Sequence, residues 1–104
     1  MDNESLYAYE ILYTKVADKF FVKHEDVRRK YVDNIKKLLK GENPENLDIK
    51  MIKGTWNNYY RMRIGSYRVI YTVIRGKLVV INTIAAGPRG DVYKKKGGIK
   101  KYFP

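Results

Sequence analysis

The chain has 104 residues, 44% hydrophobic and 13% aromatic. That suits one compact domain around a single core and is too apolar for a disordered chain. It has no cysteine, which excludes disulfides and thiolate metal sites, and no run of about 18 apolar residues, which excludes a transmembrane helix; lysine and arginine number 22 against 11 acidic residues, a net charge of +11, so the expected partner is anionic.

Residues 7–13, Tyr-Ala-Tyr-Glu-Ile-Leu-Tyr, are aromatic and β-branched and read as a strand. Thr14 is placed to cap a short helix with apolar positions Val16, Phe20 and Phe21. A break near His24 precedes a second helix. Glu25 and Asp26 suit its positive N-terminal end, and Val27, Tyr31, Ile35, Leu38 and Leu39 recur at helical spacing. Lys36, Lys37 and Lys40 fill its last turn, and Gly41 follows as the expected C′ residue. A polar loop, Glu42-Asn43-Pro44-Glu45-Asn46, leads to a short strand over 47–52 that ends at Gly54. Three strands are expected next, near 58–64, 67–74 and 77–85, separated by Gly65-Ser66 and Arg75-Gly76. The predicted fold class is α+β, with an N-terminal strand and a helical hairpin packed on a mostly antiparallel sheet of four to five strands. One domain fills residues 1–104, and its basic end, 94–104, is expected to be mobile in isolation.

A two-residue type II′ turn at Gly65-Ser66 sets the register of the central hairpin. Ile64 then pairs with Tyr67, Arg63 with Arg68 and Arg61 with Ile70. Alternation puts Arg61, Arg63 and Arg68 on one face. Tyr60, Met62, Ile64, Tyr67, Val69, Tyr71 and Val73 fall on the other, under the helices. Carrying the register through Arg75-Gly76 pairs Ile70 with Ile81 and Arg68 with Thr83, and leaves Asn82 on the core side opposite Val69. Like charges directly opposite destabilise a sheet by up to about 1 kcal/mol a pair, and no carboxylate stands in these strands. Guanidinium forks match phosphate, so the face is expected to hold an anion.

Charge is concentrated in the same region. Residues 1–60 carry a net +1, whereas 61–104 carry 11 basic residues and the single acid Asp91. Gly87, Pro88 and Gly90 allow a sharp turn after the last strand, which would bring Arg89 and Tyr93 to the patch. Divalent-metal nucleases use clustered carboxylates or histidines, and this half has one acid and no histidine. His24 stands at a helix start, far along the chain. Ser66 has no paired histidine for nucleophilic catalysis, and no glycine-rich loop precedes a helix. A site of arginine and tyrosine binds phosphate and stabilises added negative charge. It does not readily activate water, so RNA, which carries its own 2′-hydroxyl nucleophile, is the substrate that this chemistry permits.

The segments Tyr60-Arg61-Met62-Arg63-Ile64-Gly65-Ser66-Tyr67-Arg68-Val69-Ile70-Tyr71 and Ala86-Gly87-Pro88-Arg89-Gly90-Asp91-Val92-Tyr93 resemble the RelE family of toxins from toxin–antitoxin pairs. The resemblance runs over nearly the whole chain. It implies a RelE-like fold and ribosome-dependent mRNA cleavage in the decoding site, in which the 2′-hydroxyl attacks the adjacent phosphate and leaves a 2′,3′-cyclic phosphate and a 5′-hydroxyl. By the same resemblance, Arg61 and Arg63 match two basic residues, usually lysines, and the second has been assigned a base-like role. Arg68 matches the arginine that holds the scissile phosphate, Arg89 the arginine that stabilises charge or protonates the leaving oxygen, and Tyr93 the tyrosine that orients or stacks on the base. Lys94, Lys95 and Lys96 are expected to contact RNA.

Arginine departs from the family's usual lysine. With a pKa above about 12, Arg63 is a poor proton acceptor; either it only stabilises charge or another group takes the proton. The resemblance implies no cofactor and no metal. It implies an acidic, RelB-like antitoxin as partner, with ribosome and mRNA as targets. The opening Met1-Asp2-Asn3-Glu4-Ser5 has no apolar signal segment behind it, so the cytoplasm is the expected compartment and no membrane is involved. Two other readings share these residues: a ParE-like toxin directed at DNA gyrase, and a non-catalytic basic module that binds RNA.

Overall fold

The computed structural model describes residues 8–52 and 58–88. Strand β1 (Tyr9–Tyr13) is followed by helices α1 (Lys15–Val22) and α2 (Glu25–Leu39), a 3-10 turn over Pro44–Leu47, and strands β2 (Ile49–Met51), β3 (Tyr59–Ile64), β4 (Tyr67–Arg75) and β5 (Val79–Pro88). The sheet order is β1-β5-β4-β3-β2. β2 to β5 form the expected antiparallel meander, and β1 pairs with β5 in parallel. The helical hairpin therefore carries the chain from the β1 edge to the β2 edge and covers one face of the sheet. No described helix is long and apolar enough to cross a membrane.

Local chemistry explains the helix ends. The Thr14 hydroxyl accepts the Ala17 amide at 3.2 Å and donates to the Ile84 carbonyl at 2.6 Å, so one side chain caps α1 and ties it to β5. At the end of α2, Gly41 has φ +104°. Its amide donates to the Leu38 carbonyl and that of Glu42 to the Lys37 carbonyl, both at 3.0 Å; this is the paired closure that a C′ glycine permits. His24 precedes α2 without a side-chain cap and stacks on Phe20 at 4.3 Å.

The core lies between the hairpin and the sheet. Ala17, Phe21, Val27, Tyr31 and Ile35 from the helices meet Met62, Val69, Tyr71 and Ile81 from the strands. Phe21 stacks on Tyr31 at 5.7 Å. Two polar groups enter this layer with partners: Tyr31 Oη bonds Thr83 Oγ1 at 2.6 Å, and Asn34 Nδ2 donates to Met62 Sδ at 3.6 Å. Burial pushes the Tyr31 and Tyr71 hydroxyls well above the usual tyrosine range, so both stay protonated at neutral pH.

The register of β5 departs from expectation. Arg75 pairs with Val79, so the loop is Gly76-Lys77-Leu78, three residues and not the two of Arg75-Gly76. Its odd length reverses which face each β5 residue meets. Asn82 consequently stands opposite Thr72 on the outer face, and Thr83 takes the core position. A bulge follows: Tyr71 pairs with Thr83 but Ile70 with Ala85, so Ile84 is the extra residue. Arg68 therefore faces Gly87, not Thr83, and Ile70 faces Ala85, not Ile81. The expected strand over 47–52 is also shorter, because the 3-10 turn takes up Leu47 and Asp48 closes it.

Because Thr14 both caps α1 and holds the carbonyl of the bulge residue, Thr14→Val should lower unfolding stability by about 1–2 kcal/mol, seen as a lower urea midpoint at unchanged slope. An unchanged midpoint would mean that neither hydrogen bond of this hydroxyl contributes to stability.

Candidate phosphate-binding face

The outer face of the sheet is built by alternation. Arg61 and Arg63 are two apart on β3, and Arg68 of β4 is the cross-strand partner of Arg63. The turn between them has positive φ at Gly65 only, +60°, as a type II′ turn requires. Directly opposed side chains stand about 4.5–5.5 Å apart at Cβ, so Arg63 and Arg68 are neighbours, and Arg61 follows about 7 Å along the strand. Gly87, which is buried, stands opposite Arg68 on β5. An apolar floor of Tyr59, Ile70, Ile84 and Ala85 lies on the same face.

Among the described residues, Asp48 is the carboxylate that reaches this group. Asp48 closes the 3-10 turn in the left-handed region, φ 55°, which aspartate tolerates better than most residues. Its carbonyl accepts the Arg63 amide at 3.0 Å, so the turn is locked against β3. Its Oδ1 lies 3.5 Å from Arg61 Nη2 and its Oδ2 3.7 Å from Arg63 Nε. These separations exceed the roughly 2.7–2.9 Å of a tight charge-assisted bond. The Asp48 side chain is 47% exposed and that of Arg63 46%, so the pairing contributes little, about 0–1 kcal/mol. Arg61 is more enclosed, 12% exposed, and its buried Nε has no hydrogen-bond partner among the described residues. An arriving phosphate can outcompete so loose an internal pair.

The structure thus brings together three of the residues expected at the site, Arg61, Arg63 and Arg68. Arg89, Tyr93, Lys94, Lys95 and Lys96 lie outside the described residues. Asp48 is the residue that sequence reasoning missed. Its signal was present in Asn43-Pro44-Glu45-Asn46-Leu47-Asp48: Asn43 Oδ1 accepts the Glu45 amide at 3.0 Å and opens the turn, and a tight turn that ends in aspartate places a carboxylate just before the next strand. A cleft of 480 Å³ lies on the opposite face, lined by Leu38, Leu39, Ile49, Tyr60 and Val73 among others, with Arg75 in its lining. It is separate from Arg61, Arg63 and Arg68.

The family described as the ParE toxin of type II toxin–antitoxin systems, parDE, matches residues 11–89. Among solved structures, the RelB-RelE antitoxin–toxin complex from Methanococcus jannaschii contains a chain that is 28% identical, with a TM-score of 0.56, covering 81% of this chain and 96% of that one. No curated protein matches the sequence.

If the three arginines share one anion, Arg68→Ala should leave the fold intact and weaken binding of single-stranded RNA. It should also reduce the slope of log affinity against log salt by about 0.7 for each phosphate that the variant no longer neutralises. An unchanged slope in a folded variant would place Arg68 away from the anion.

Proposed function

We propose that the protein cuts messenger RNA on the ribosome, and the premise is its family: the chain belongs to the RelE/ParE superfamily of type II toxin–antitoxin toxins, matched over residues 11–89, and is a RelE-like toxin in fold. The observation that carries this reading is the convergence of Arg61, Arg63 and Arg68 on one face of the sheet. Guanidinium groups so placed hold the non-bridging oxygens of one sugar–phosphate link and stabilise the charge that builds as the 2′-oxygen attacks. The ribosome supplies the other half of the site by presenting mRNA with its 2′-hydroxyl in line with the phosphate. The products are a 2′,3′-cyclic phosphate and a 5′-hydroxyl. No metal is needed, because the nucleophile belongs to the RNA. Arg89 is assigned to charge stabilisation at the leaving oxygen, Tyr93 to stacking on the base, and Lys94, Lys95 and Lys96 to backbone contacts with RNA.

An acidic antitoxin completes the pair. The similar Methanococcus jannaschii chain is part of an antitoxin–toxin complex, and a net charge of +11 favours capture by a partner of opposite sign. With an antitoxin and the ribosome as partners, the protein works in the cytoplasm.

A second reading follows from the matching family, the ParE toxins: a toxin that acts on DNA gyrase through protein contacts. The trio of arginines supports the first, since a protein–protein inhibitor has no need of three guanidiniums clustered on one face.

Purified protein added to programmed ribosomes should cut mRNA and leave cyclic phosphate and 5′-hydroxyl ends, with free mRNA left intact. Arg68→Ala and Arg89→Ala should each slow cleavage by about 100- to 1000-fold, the loss typical of one charge-stabilising donor. Wild-type rates in both variants would refute the site, and gyrase inhibition without cleavage would support the second reading.

A further inference from the structure

We propose that Asp48 is the general base of the reaction, the group that takes the proton from the attacking 2′-hydroxyl. This rests on the reading of the outer face as an RNA-cleaving site. A guanidinium cannot accept that proton at neutral pH, and β3, β4 and β5 contain no aspartate, glutamate or histidine. Asp48 is the acidic group found against the arginines among the described residues.

Its geometry suits the task. The backbone is fixed by the Arg63 amide, which donates to the Asp48 carbonyl, and by its own amide, which donates to the Glu45 carbonyl at 3.2 Å. The carboxylate is held between Arg61 Nη2 and Arg63 Nε at 3.5 and 3.7 Å. Oδ1 accepts a long hydrogen bond from Arg61 Nη2, and nearly half of the side chain is open to solvent. The charged groups around it are Arg61 and Arg63 of β3, Arg68 across from Arg63 on β4, Lys50 of β2 paired opposite Arg61, and Glu45 of its own turn. Cations predominate, so the carboxylate sits where an anionic phosphate would be drawn. A phosphate seated on the guanidiniums places its neighbouring ribose within reach of the same carboxylate.

In the step itself, an Asp48 carboxylate oxygen takes the 2′-hydroxyl proton while the 2′-oxygen bonds to phosphorus and the bond from phosphorus to the 5′-oxygen breaks. The departing 5′-oxyanion takes a proton from water, and the resulting hydroxide removes the proton from Asp48. Arg61 and Arg63 hold the carboxylate before the step and the phosphate oxygens during it.

The test is single-turnover cleavage on programmed ribosomes across the acid and neutral pH range, for wild type, Asp48→Asn and Asp48→Glu. Binding of a 2′-O-methyl RNA is measured beside it. Asparagine tolerates the left-handed backbone and keeps the shape, so that variant is expected to fold. Asp48→Asn should cut at least about 100-fold more slowly, lose the rise in rate that accompanies ionisation of a base, and bind 2′-O-methyl RNA at least as tightly as wild type, because one anion has gone. Asp48→Glu should recover part of the rate and the pH-dependent rise. If Asp48→Asn cuts as fast as wild type with the same pH profile, Asp48 is a charge clamp and the proposal is overturned while the nuclease reading stands. Wild-type protein that leaves ribosome-bound mRNA intact overturns both.

Discussion

A two-residue turn decides which side of the sheet the arginines occupy. Gly65, at φ +60°, lets β3 reverse into β4 with Arg63 opposite Arg68. Side chains alternate strictly, so a slip of one residue would send one row of arginines into the helical face and Tyr60, Met62 and Ile64 into water. The core opposes that slip: Met62, Val69 and Tyr71 are fully enclosed beneath the helices. Burial on one face thus enforces cation clustering on the other. Repulsion between Arg63 and Arg68 costs at most about 1 kcal/mol, whereas uncovering one large core side chain costs about 1.5–3 kcal/mol. Stability is set by the apolar face, and the polar face is left available for chemistry.

The rest of the site is fitted to that constraint. The bulge at Ile84 moves Gly87 beside Arg68 and keeps Ala86 packed on the core. Thr14 holds the bulge by the Ile84 carbonyl while capping α1, so the helical hairpin and the far strand of the arginine face are tied through one hydroxyl. On the other side, the 3-10 turn brings Asp48 against β3. Arg61 and Arg63 therefore meet an internal carboxylate at 3.5 and 3.7 Å, loose enough to yield to phosphate.

Much of this was legible in the residues. The Gly-Ser turn, the helix that ends at Gly41 and the alternation of arginine with apolar residues are local signals, and each led to the observed element. What stayed hidden depended on longer-range choices. Arg75-Gly76 reads as a two-residue turn, but the chain uses Gly76-Lys77-Leu78, because that length puts Ile81 and Thr83 under the helices and Asn82 outside. Tyr31 then supplies a partner for Thr83 that no local pattern announces. The parallel pairing of β1 with β5 links residues about seventy positions apart, and spacing along the chain carries no record of it. Asp48 was concealed because the run from Leu47 to Ile52 reads as one strand, and only the left-handed backbone at Asp48 separates the turn from the strand.

The central claim is that three guanidiniums from two strands serve one sugar–phosphate link. The most direct measurement follows the Nε–H resonances of Arg61, Arg63 and Arg68 by NMR while a 2′-O-methyl dinucleotide is titrated. All three should shift together and saturate with a single dissociation constant. Independent saturation of the three signals, or movement of Arg68 alone while Arg61 and Arg63 keep their Asp48-bound shifts, would contradict it.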